Sequence, residues 1–88
     1  MRIKDGYIMR KVAGTTVIIS LNGENCSKLM TLNLSGEDMW NLLQQDIGLA
    51  QLIEKMSEIY DVDRGELEKD VLRFLDKLRE VGMLVEES

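Results

Sequence analysis

No histidine and no proline occur in these 88 residues, and cysteine appears once, at Cys26. Without histidine the commonest general base is missing, and so is any Ser-His or Cys-His pair. One cysteine and no histidine come close to excluding an ordinary zinc site, and Cys26 has no partner for an internal disulfide, which fits a reducing compartment. No apolar run approaches the roughly 18 residues of a membrane span, and the start, MRIKDGYIMRKV, lacks the apolar core of a signal peptide. The expected location is therefore the cytoplasm. No G-x-x-x-x-G-K-[ST] phosphate loop is present. A net charge of −5 repels nucleic-acid phosphate overall. These absences argue against an enzyme, a cofactor carrier, a nucleic-acid binder and a membrane protein.

What is present reads as an ordinary globular chain, 44% apolar and 31% charged. Its length suits one domain over residues 1–88, near the lower end of what folds alone on a hydrophobic core. The strongest local signal is residues 61–85, DVDRGELEKDVLRFLDKLREVGMLV. Asp63 and Glu66 have capping-box spacing, and Leu67, Val71, Phe74, Leu75, Leu78 and Val81 then recur at three- and four-residue steps. That spacing predicts one apolar stripe on an α-helix. Gly82 supplies a left-handed stop, and Met83, Leu84 and Val85 form a short apolar exit.

Upstream, residues 1–6 are polar and read as frayed. Residues 7–12 and 15–21 are rich in β-branched side chains, and only Ala13-Gly14 separates them, which predicts a tight hairpin. After the turn cluster 22–27, residues 28–33 give a third strand, so an antiparallel meander is expected. The period then changes. Ser35 is positioned to cap a helix over 36–45, and Gly48 opens another from about 49 to 60, with Leu49, Leu52, Ile53, Met56 and Ile59 inward. Tyr7, Trp40, Tyr60 and Phe74 read as core or rim packing.

Cys26 reads as an incidental thiol, and the carboxylates Asp61, Asp63, Glu66 and Asp70 lack the alternate spacing of a calcium loop. The methionines read mainly as gap fillers. The third strand differs, because a meander leaves it as an edge with unpaired amides and carbonyls. Leu29, Met30, Thr31 and Leu32 carry neither proline nor charge, so the edge suits addition of a peptide strand. The opposing possibility is that the third helix covers it.

The succession YIMRKV (7–12), TLN (31–33), GEDMWNLL (36–43), YDVD (60–63) and DVLRFLDKLREVGML (70–84) resembles the PqqD-like family, the RiPP precursor-peptide recognition elements. The resemblance covers about residues 7–85. It implies an α+β, winged-helix-like domain of three antiparallel strands followed by three helices, the order already read from the residues. It also implies a non-catalytic module that binds the leader of a ribosomally made precursor peptide and presents it to a separate modifying enzyme. A radical S-adenosylmethionine maturase, as for the family's namesake, is one such enzyme. The leader would lie beside Lys28, Leu29, Met30, Thr31 and Leu32, against a helix wall of Asp70, Phe74 and Leu78. Arg73 and Lys77 join that wall on helical geometry alone. The chain departs from the family in having Leu29-Met30 where an aromatic pair is frequent, and Gly48 where serine or threonine is common.

The rival reading is a winged-helix DNA-binding or regulatory domain, since fold does not fix function. Residues 63–81 set five basic side chains against six acidic ones, a poor balance for groove insertion. A small enzyme would need a nucleophile–base pair that is absent here. A homodimer through the free strand edge is compatible with peptide binding.

Overall fold

The chain alternates strands early and helices late because its apolar period switches from two to about 3.6 after Leu32. The computed structural model describes residues 1–21 and 28–86, and for Lys28 and Leu29 the backbone only. Cys26 and the turn cluster 22–27 lie outside the described residues. Among the described residues, five strands and three helices follow in the order β1 (Arg2–Ile3), β2 (Tyr7–Val12), β3 (Thr15–Ser20), β4 (Lys28–Leu32), α1 (Leu34–Leu42), α2 (Leu49–Ile59), α3 (Arg64–Glu80), β5 (Leu84–Val85). Strands β2, β3 and β4 form the expected antiparallel meander, with β3 in the middle.

The hairpin turns through Ala13 and Gly14 at φ 53° and 80°, the double left-handed geometry that matches the twist of paired strands. Register runs from Tyr7↔Ser20 to Val12↔Thr15. Between β3 and β4, Ile18 faces Met30 while Ile19 faces Lys28, so Leu29 is an extra residue and β4 carries a bulge there.

Helix α1 corrects one expectation. Its cap is Asn33, whose Oδ1 accepts from the Gly36 amide at 2.8 Å, and Ser35 Oγ donates to the same oxygen at 3.0 Å. The asparagine side chain reaches the free amides two residues earlier than Ser35 would, so the helix spans 34–42 rather than 36–45. Helix α2 opens at Gly48, whose amide donates to Gln51 Oε1. Helix α3 is capped by Asp63, which accepts from the Glu66 amide. It stops as a Schellman motif: Gly82 sits at φ 75°, its amide bonds Arg79 O, and the Met83 amide bonds Leu78 O.

That stop swings Met83 fully into the core beside Leu43, Leu52, Met56, Val71, Leu75 and Leu78, with Ile18 from the sheet. Three residues expected inward are exposed instead: Leu49 at the first position of α2, Ile59 at its last, and Val81 just past α3. Helix ends leave the packed stripe before the sequence pattern does. Trp40 is buried, and the half-buried Tyr60 donates its hydroxyl to Asp38.

The larger correction concerns the N-terminal residues. Arg2–Ile3 pairs antiparallel with Leu84–Val85, the Ile3 amide bonds Leu43 O, the Lys4 amide bonds Met83 O, and Ile3 is buried. A two-residue strand is too short to register as a period. Its hydrogen bonds come from Leu43 and from the far end of the chain, where no local pattern reveals them. Among the described residues, no helix is long and apolar enough to cross a membrane.

Two outcomes follow from this packing. Truncating Ile3→Ala should cost about 2–4 kcal/mol in urea unfolding, where a frayed residue would cost nearly nothing. The Tyr60 phenol has its pKa pushed up to about 12, first by its hydrogen bond to Asp38, then by burial and the carboxylate's charge. A raised folded-state pKa gives stability that is complete below about pH 10, where free tyrosine ionises, and lost as pH rises through about 12. Urea midpoints should therefore fall across that window in wild type, and Tyr60→Phe should lack this component of the fall.

Candidate peptide-binding groove

Among the described residues, the sheet order β2-β3-β4 leaves β4 without a strand on its outer side. A groove of about 380 Å³ lies there, lined by Met30, Thr31, Leu32, Asn33, Ser35, Gly36, Met39, Asp70, Arg73, Phe74 and Lys77. The third helix therefore stands off the edge instead of closing over it. Strand β4 forms one wall, the first turns of α1 the floor, and α3 the other wall.

Each wall has a local cause. On α3, positions 70, 73, 74 and 77 are spaced by three and four residues, which stacks them on one stripe of the helix. Phe74 is 7% exposed and belongs at once to the core and to the groove wall. Asp70, Arg73 and Lys77 are exposed along its rim. Arg73 Nη1 lies 3.7 Å from Asp70 Oδ1, a loose pair in solvent that contributes little to stability. Lys77 makes no ion pair among the described residues. The floor is held by the Asn33 cap and by Thr16 of β3, whose Oγ1 donates to Glu37 Oε1 at 3.0 Å and ties the start of α1 to the sheet.

Of the residues expected at the site, Met30, Thr31, Leu32, Asp70, Arg73, Phe74 and Lys77 come together in this one groove. Leu78 does not line it: it is fully buried, on the core side of α3. The backbone of Lys28 and Leu29 lies in β4, and their side chains are outside the described residues. Sequence reasoning missed Asn33, Ser35, Gly36 and Met39. Asn33 offered a signal, since an asparagine three residues before Gly36 is a strong cap and would have moved the start of α1 against the strand. Gly36 is buried, and a Cβ there would meet Leu32 Cβ at 3.4 Å and Asn33 Oδ1 at 3.1 Å, so strand and helix approach closely at that point. Nothing in the residue pattern distinguished Met39 from its core neighbours.

A three-stranded sheet whose β4 edge has no further strand among the described residues, and a helix-walled groove beside that edge, defines the class. The chain belongs to the family of coenzyme PQQ synthesis protein D (PqqD), whose pattern matches residues 15–84. Among solved structures it is similar to one described as TbiB1 in complex with the TbiA(beta) leader peptide, at 23% identity and a TM-score of 0.76, over 100% of this chain and 99% of that one. It is also similar to lasso peptide synthetase B1 complexed with the leader peptide, at 18% identity and a TM-score of 0.73, over 97% of this chain and 96% of that one. Both likenesses are likenesses of fold. No curated protein matches the sequence.

Substitutions along the groove wall should separate its two roles. Phe74→Ala should cost about 3–5 kcal/mol in denaturant unfolding, because the ring is part of the core. Reversing Arg73 and Lys77 together to glutamate should move stability by about 0.5 kcal/mol or less in the same assay.

Proposed function

We propose that this protein is a non-catalytic module that captures the leader segment of a ribosomally made precursor peptide. It holds the leader as a fourth strand on β4 and presents the remainder of the precursor to a separate modifying enzyme. The observation that carries this reading is the open edge of β4 facing α3 across a groove about 380 Å³ in volume. An extended peptide laid there satisfies backbone groups that the edge strand leaves unpaired, and its alternate side chains enter the groove. Affinity comes from the shared ladder, and specificity from Met30, Met39, Phe74 and the rim charges. Membership of the PqqD family supports the reading, as do neighbours of the same fold whose descriptions name bound leader peptides.

The chemistry of the groove suits holding rather than reacting. Its lining has carboxylate, guanidinium and ammonium groups on an exposed rim, with Met30, Leu32, Met39 and Phe74 as its apolar surface. The modifying enzyme supplies the reaction, and a radical S-adenosylmethionine enzyme fits that role in a cytoplasmic pathway. A second copy of the chain would compete for the same β4 edge, so a homodimer formed there would have to open for peptide to bind.

The test is amide chemical-shift mapping with a leader from a precursor encoded beside this gene. Shifts should concentrate on Met30, Thr31 and Leu32 and on α3 from Asp70 to Lys77. Shifts confined to the β2–β3 hairpin or to α2 would overturn the reading.

A further inference from the structure

We propose that the groove selects a short extended segment in which an apolar side chain and a carboxylate stand two residues apart, the carboxylate meeting Lys77 and Arg73. This rests on the reading of the groove as a peptide site and adds the chemistry of what it takes.

The length comes from the bulge. Leu29 has no partner across the β3–β4 ladder, because Ile18 faces Met30 and Ile19 faces Lys28. A bulge bends its strand and increases the local twist, so an added strand keeps regular register only along Met30, Thr31 and Leu32. The helix wall agrees. From Asp70 to Lys77 the axis of α3 advances about 10 Å, a distance that an extended chain covers in about three residues.

The side-chain pattern comes from the pleat. Successive side chains of an added strand alternate between faces, so residues i and i+2 point into the groove together. One of them meets the apolar surface of Met30, Met39 and Phe74. The other reaches the rim one helical turn along, where Lys77 has no carboxylate of its own among the described residues.

The charge comes from a local reversal of sign. Among the described residues, the charged ones lining the groove are Asp70, Arg73 and Lys77, one negative and two positive, on a chain whose net charge is −5. Asp70 already lies 3.7 Å from Arg73 and partly offsets it. An acidic segment is therefore repelled by the protein at large and attracted at this rim, which restricts where it settles more than how tightly it binds.

A displayed library of random heptapeptides, panned on the full chain, tests this. Wild type should enrich an apolar residue two positions from Asp or Glu, in either chain direction. The same library on Lys77→Glu should lose the acidic preference and enrich Lys or Arg at that position. A synthetic peptide from the wild-type selection should bind Lys77→Glu about tenfold more weakly, and changing its carboxylate to lysine should recover most of the loss. Lys77 is exposed, and matching thermal melts confirm that the variant folds. Peptides that map to β4 and α3 yet show no acidic preference, or the same preference on Lys77→Glu, overturn the proposal and leave the peptide site standing. Peptides that map elsewhere, or a library that yields no binder, overturn the short segment and the peptide site together.

Discussion

Asn33 is the only residue between β4 and α1, and the geometry of the groove depends on how it makes that turn. Its backbone is still extended, at φ −87° and ψ −177°, while its side chain already accepts from the Gly36 amide. Strand thus becomes helix with no loop to absorb slack. The first turn of α1 must pass directly beneath the end of β4, and the missing Cβ of Gly36 lets it approach Leu32 closely. With α1 fixed as a floor, α2 and α3 stack on the remaining apolar surface, and α3 is held beside the edge of the sheet instead of against it.

The space left over is therefore a product of core packing and not a separate invention. Phe74 makes the point, since the same ring closes the core on one side and walls the groove on the other. Rim charges cost the fold little, as exposed pairs such as Asp70 and Arg73 contribute little stability. They are free to vary with the peptide, while the apolar wall is constrained by the core behind it.

The sequence made long periodic elements legible and junctions obscure. Helix α3 could be read almost residue by residue, because Asp63, the Leu67–Leu78 stripe and Gly82 each act within a few positions of their partners. The hairpin was legible for the same reason, through Ala13-Gly14. Arg2–Ile3 was not, since its partners lie some eighty residues away and two residues carry no periodicity. At the site, the strand edge and the α3 stripe could be inferred from topology and spacing. The α1 contribution could not, because it follows from choosing Asn33 over Ser35 as the cap, a shift too small for hydrophobic patterning to resolve. Leu78 was assigned to the groove when its stripe position already placed it among core residues, beside Leu75 and Val71.

Among the described residues the sheet has a second edge without a neighbouring strand, on β2, and the two edges are not alike. Strand β4 offers a groove, whereas β2 carries Arg10 and Lys11, both exposed, on its outer half. Were both edges plain, the β2 edge of one molecule would fit the β4 edge of the next, and such a head-to-tail contact need not close on itself. Repeated, it builds a filament rather than a dimer. Two cations on β2 would have to be brought beside Arg73 and Lys77 of a neighbour, so like charge opposes growth at each joint.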